Sequence, residues 1–152
     1  EGVCLKLQWL AHQDSNLDSW YQKPESCRWT MGQCDCLSAM CETALAAADL
    51  LAEEGISVRV MNCSTVKPPD LGALKSLAVP YFTLEEDLIS SGFGSMIAEA
   101  AVCERFPAPR AMFGLPDAFV PHGARNELLR LNRLDARSIA AGIREKLNEN
   151  QN

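Results

Sequence analysis

Apolar positions along this chain follow two periods. Phe93, Met96, Ile97, Ala100 and Ala101 recur at the spacing that lines one face of a helix, and Ile139, Ile143 and Leu147 repeat it further on. Ile56, Val58 and Val60 instead alternate with Ser57, Arg59 and Met61, the two-residue period of a strand. That alternation is milder than a strand buried on both faces would show, so one face of this strand is expected to be partly covered.

Punctuation between these runs divides the chain into alternating strands and helices. A strand over residues 34–39 leads into an Ala- and Leu-rich helix over 42–54, with Leu45, Ala48, Leu51 and Ala52 on one face and Gly55 supplying a left-handed stop. After the strand at 56–61, Pro68 and Pro69 forbid continuation, and Asp70 can cap a short helix carrying Leu71, Leu74 and Leu77. A strand over 79–84 then feeds the glycines of "TLEEDLISSGFGS" and the helix that follows them. Beyond Pro107 and Pro109 the pattern predicts a last short strand over 111–115, a turn at Pro116 and Asp117, a helix over 124–131 and a final helix capped by Asp135. Strands alternating with amphipathic helices predict an α/β sheet covered by helices.

The first part of the chain reads differently. Residues 3–9 alternate like a strand, whereas residues 10–33 are polar, carry Trp20 and Trp29 and hold no period. Residues 1–33 are therefore read as an irregular N-terminal segment or linker with a possible edge strand, and 34–152 as the domain proper.

Composition narrows the function classes. A chain of 152 residues with 47% apolar content can bury one core. Its net charge of -6 repels a polyanionic backbone, which argues against nucleic acid as a partner. Without a long apolar run or a basic, apolar leader, the chain is expected to be cytoplasmic, with no membrane partner. Seven cysteines are an odd number at irregular spacings, so reduced thiols are the simpler reading. Cys34, Cys36 and Cys41 form the one cluster, but a structural zinc wants four ligands and His12 and His122 are distant in sequence, so no metal site is assigned.

The glycine joint raises the sharpest chemical question. A strand, a glycine turn and a helix N-terminus present free N–H groups to an anion. Yet Ile97 stands where the dinucleotide fingerprint needs its third glycine, and Glu85, Glu86 and Asp87 would compete with a phosphate for the helix dipole. Gly92 and Gly94 are therefore read as permitting close backbone approach. Glu85 and Glu86, as neighbours on a strand, point to opposite faces and cannot flank one substrate without a bulge. His122 has Asp117 as its one candidate orienting carboxylate, and the sequence marks no thiol-activating residue for Cys41. No catalytic, cofactor-binding or metal residue is assigned. The candidate ligand crevice at the strand ends comprises Glu85, Glu86, Gly92, Gly94, Ser95, Asp117 and His122, with Ser38 and Ser64 beside them.

Three stretches also carry a family resemblance. "ALAAADLLAEEGISVRVMNCSTVKPPD", "VPYFTLEEDLISSGFGSMIAEA" and "GLPDAFVPHGARNELLRLNRLDARSIAAGI" resemble, in that order, the C-terminal domain of transketolase-like thiamine diphosphate enzymes. Leu115, Pro116 and Asp117, with Phe119, His122 and Gly123, look like the 1-deoxy-D-xylulose-5-phosphate synthase branch. The resemblance covers about residues 34–147 and is poor over residues 1–33, and Cys34 to Cys41 depart from the glycine-containing strand end of the family.

The resemblance implies a three-layer α/β/α domain on a mixed, mostly parallel sheet of about five strands, the first antiparallel. It implies a parent transferase that joins pyruvate to glyceraldehyde 3-phosphate, feeding isoprenoid and thiamine synthesis, with thiamine diphosphate and magnesium held by other domains. On that reading this chain carries no cofactor and is inactive alone. Its partners are the cofactor-binding and pyrimidine-binding domains or subunits of the same enzyme, and it contributes to a homodimer. Two other readings stand beside it: an autonomous regulatory domain binding a small anion or phosphosugar, and the C-terminal domain of a transketolase or of a 2-oxo acid dehydrogenase beta subunit.

Overall fold

The computed structural model describes residues 2–8, 20–22, 29–31, 39–63, 68–69, 71–77 and 79–149. In chain order these form β1 (Gly2–Gln8), β2 (Trp20–Gln22), β3 (Trp29–Met31), α1 (Ala39–Glu53), β4 (Ser57–Cys63), α2 (Leu71–Lys75), β5 (Tyr81–Leu88), α3 (Phe93–Glu104), β6 (Ala111–Leu115), α4 (Arg125–Leu131) and α5 (Ala136–Asn148). The main sheet has the order β4-β1-β5-β6, and all three of its pairings are parallel. Among the described residues it thus holds four strands, where about five with one antiparallel were expected. β2 and β3 form a separate antiparallel pair.

Strand order explains where the helices lie. From β1 the chain runs through α1 to β4 on one side, then returns through α2 to β5 on the other side of β1 and continues through α3 to β6. A reversal of direction in a parallel sheet sends the connecting helices to opposite faces. One core accordingly joins Met40, Ala44, Ala48 and Leu51 of α1, Val58 and Val60 of β4, Phe82 and Leu84 of β5, Leu129 of α4 and Ile139 and Ile143 of α5. The other joins Met61, Leu74 of α2, Tyr81 and Phe93 and Ile97 of α3. These are the three layers of an α/β/α domain.

Several expectations are met closely. Gly55 has φ of +81° just past α1, β6 occupies 111–115, and Asp135 caps α5 by accepting the Ser138 N–H at 3.3 Å and its hydroxyl at 2.6 Å. On β4, Val58 and Val60 are buried and Arg59 is exposed while Met61 is covered, so the second face is indeed partly covered. Among the described residues β4 pairs with β1 alone in the main sheet, at its edge.

Others are corrected. β1 lies in the interior of the main sheet, hydrogen-bonded on both sides, Leu5 pairing with Val60 and with Phe82. Residues 1–33 are expected to be an irregular segment or linker with a possible edge strand; β1, which falls within them, takes an interior place between β4 and β5. Of the strand expected over 34–39, residues 34–38 lie outside the described residues and Ala39 opens α1. Asp70 and the cap expected of it also lie outside them. The buried stripe of α1 is Met40, Cys41, Ala44, Ala47, Ala48 and Leu51, with Leu45 only partly buried and Ala52 exposed. Small alanines turn toward the sheet because α1 also packs on α5, and large side chains at the contact would hold the layers apart. β5 runs on to Leu88, past the expected end at 84.

Candidate functional site

The extra length of β5 builds the site. Its register with β6 is regular from Phe82 opposite Ala111 to Leu84 opposite Phe113, then jumps to Leu88 opposite Leu115. Four steps on one strand against two on the other make a bulge at Glu85, Glu86 and Asp87. Gly114 sits across from it, where a Cβ would lie 2.9 Å from the Asp87 carbonyl oxygen and 3.1 Å from Glu85 Cγ. A glycine at this point of β6 is a steric requirement of the bulge.

Glu85 is wholly buried on the α3 side of the sheet, the side of Tyr81. Its carboxylate accepts the Phe93 N–H at 2.6 Å through Oε2 and the Gly94 N–H at 2.9 Å through Oε1. Both are amides that the first turn of a helix cannot satisfy internally, and the carboxylate charge faces the positive end of the α3 dipole. Gly92 itself makes no side-chain cap. Burial pushes the Glu85 pKa up, the Gly94 and Phe93 amides pull it back, the Asp87 charge raises it, and the net direction is upward.

The glycines make this approach possible. A Cβ at Gly92 would overlap Glu85 Oε2 and stand 2.5 Å from the Leu88 carbonyl oxygen. At Gly94 it would stand 2.6 Å from Thr83 Oγ1 and 3.0 Å from both Glu85 Oε1 and Met112 Sδ. Ser95 completes the turn by donating its hydroxyl to the Gly92 carbonyl at 2.9 Å. Glu85, Gly92, Gly94 and Ser95 thus form one unit, and the unit closes a helix end with the protein's own carboxylate.

The remaining candidates do not join it. Glu86 lies on the side of α1 and α4, where the Arg125 guanidinium clasps it, Nε donating to Oε1 at 2.9 Å and Nη2 to Oε2, while Nη2 also lies against Met40 Sδ. Even with the bulge, the two adjacent carboxylates face opposite layers. Asp117 and His122 follow β6 on a run where every residue from 116 to 127 is exposed. Ser38 and Ser64 lie outside the described residues, as do His12, Cys34 and Cys36. Cys41 is buried in the α1 core. Among the described residues no group of three or more His, Cys, Asp or Glu side chains could hold a metal, and no helix is long and apolar enough to cross a membrane.

Sequence reasoning missed Arg125, the partner that fixes Glu86. Its signal is faint: an arginine at the first position of a short helix, 39 residues from its partner.

Glu85 also decides whether the diphosphate of a thiamine cofactor fits this helix end. A diphosphate would need the Phe93 and Gly94 amides that Glu85 already uses, and would meet that carboxylate as a like charge. The α3 terminus does not fit the group.

Fold and site together define a three-layer α/β domain whose switch-point helix is sealed by an internal carboxylate. The chain belongs to the transketolase C-terminal domain family: the model "Transketolase, C-terminal domain" matches residues 36–139. Among curated proteins it is similar to the 1-deoxy-D-xylulose-5-phosphate synthase of Exiguobacterium sibiricum, 37% identical over 153 residues, covering 98% of this chain and 23% of that protein. The synthase of Chlorobium phaeovibrioides is 42% identical over 112 residues, 71% of this chain and 18% of its own length, and that of Aquifex aeolicus 37% over 107, 68% and 17%. Among solved structures it resembles a chain described as "Split gene transketolase, inactive beta4 tetramer", with a TM-score of 0.68 and 25% identity, over 97% of this chain and 39% of that one. The chain thus spans under a quarter of the length of these synthases.

Proposed function

We propose that this chain serves as the C-terminal structural and dimerisation domain of a 1-deoxy-D-xylulose-5-phosphate synthase-like transferase. The enzyme would join pyruvate and glyceraldehyde 3-phosphate with thiamine diphosphate and magnesium held on domains or subunits other than this one. In this reading the domain buttresses its neighbours, works in the cytoplasm and has no turnover of its own.

One observation carries the proposal: 98% of the chain aligns with only 23% of a synthase. The site supports it, because the Glu85 carboxylate is buried and committed to the α3 amides. The resemblance to a tetramer described as inactive and built of beta chains alone is consistent with a part that needs its complement. The rival reading, an autonomous binder of phosphosugars at the strand ends, would require Glu85 to surrender those amides to the ligand.

The test is to incubate the purified chain with thiamine diphosphate, magnesium, pyruvate and glyceraldehyde 3-phosphate. No carbon dioxide or pentulose phosphate is expected above a protein-free control, and turnover by the chain alone overturns the reading. Calorimetry with phosphosugars separates the rival, which demands saturable binding.

A further inference from the structure

The loop between β6 and α4 is held at both ends and bare in the middle. At its start the Ile89 N–H donates to the Leu115 carbonyl at 3.0 Å, and at its end Arg125 is clasped by Glu86. Both anchors come from the same few residues at the end of β5. Between them Ala118, Phe119, Val120 and Pro121 are all exposed, and Phe119 is exposed over its whole side chain. A single surface leucine or phenylalanine is ordinary, but four consecutive exposed apolar residues are a liability that a sequence carries for function. Pro116 and Pro121 restrict the backbone on either side of Phe119, which lowers the ordering cost of binding.

We infer that the loop 116–124 is the docking surface of this domain, with Phe119 as the anchor inserted into an apolar socket on the synthase portion that this chain does not span. The inference rests on the domain reading above and names the surface that serves it. Uncharged residues over 118–121 call for an uncharged socket, and a projecting aromatic ring suits the buried centre of a protein interface. The unspanned three quarters or so of the relatives' length is the polypeptide available to supply that socket. The loop also lies at the carboxyl ends of the parallel strands, so docking there turns that end of the sheet toward the partner.

The experiment replaces the stretch of the Exiguobacterium sibiricum synthase that this chain matches, 23% of that protein, with this chain. An active chimera is expected, with Phe119→Ala losing about tenfold or more in activity and Phe119→Trp retaining most of it. A photo-crosslinker placed at position 119 should capture residues of the synthase-derived portion. The thermal midpoint of the isolated chain should be the same with and without Phe119→Ala, since the ring covers nothing within it. An active chimera indifferent to Phe119→Ala, with no crosslink, overturns this inference and leaves the domain reading intact. Crosslinks solely to a second copy of this chain, or an isolated-chain dimer that Phe119→Ala dissolves, overturn it in favour of self-association. A chimera that neither assembles nor turns over overturns both.

Discussion

The Glu85 carboxylate, wholly buried on β5, accepts the backbone N–H of Gly94 at 2.9 Å. That contact binds the last turns of β5 to the first turn of α3 and occupies the place an anionic ligand would take. Removing it should loosen the joint. Glu85→Ala leaves two buried amides without their charged acceptor and is expected to cost about 2 kcal/mol, read by urea denaturation. Glu85→Gln should be no better than a partial rescue, because one of its two polar ends brings a donor to a donor.

The same residue sets a pH dependence. Its folded pKa lies above the ordinary carboxylate value of 4.5, so between the two the native state binds more protons than the unfolded state. Glu85's contribution is therefore greatest in acid and declines as pH rises through the folded pKa. Comparing stability against pH for the wild type and Glu85→Ala should remove that falling limb; identical slopes would show that the group does not titrate across it.

Asp135 should behave in the opposite sense. Burial raises its pKa, but the Ser138 hydroxyl and amide, with the Asp135 and Arg137 amides, outweigh burial and lower it. Its contribution is present above the ordinary value of 3.8 and lost as pH falls through the folded pKa. Asp135→Ala is expected to cost about 1 kcal/mol at neutral pH, as other N-cap deletions do, and markedly less in acid.

Gly92 tolerates no side chain. The obstacle at 2.5 Å is the Leu88 carbonyl, a backbone atom of the turn, and the second is the Glu85 carboxylate itself. Gly92→Ala should destabilise by about 2 kcal/mol and expose the Phe93 and Gly94 amides to hydrogen exchange. A fully stable variant with unchanged protection would contradict the close approach.

Glu86 offers the contrast. It is the neighbour of Glu85, yet its ion pair with Arg125 is solvent-exposed. Glu86→Gln should cost under about 1 kcal/mol in the isolated chain, less at high salt. Its effect should appear in the chimera, where the loop 116–124 loses one of its two anchors. Equal loss of global stability from Glu86→Gln and Glu85→Ala would refute the division between them.

Periodicity alone located α3, β6, α5 and its Asp135 cap, because each is decided within a few residues: a stripe, an alternation, a side chain reaching its own helix. Gly55 and the competition of acidic residues for the α3 dipole were legible for the same reason. What stayed hidden needed distance. Residues 2–8 look marginal by themselves and become the sheet interior only by pairing with Val60 on one side and Phe82 on the other. Glu85 and Glu86 are the same residue type in adjacent positions, and only the bulge in β5, the glycines of α3 and Arg125 of α4 separate a buried helix cap from a surface clasp. Local sequence dictates where backbone hydrogen bonds close on themselves; which neighbour a strand or carboxylate meets is settled when the layers pack.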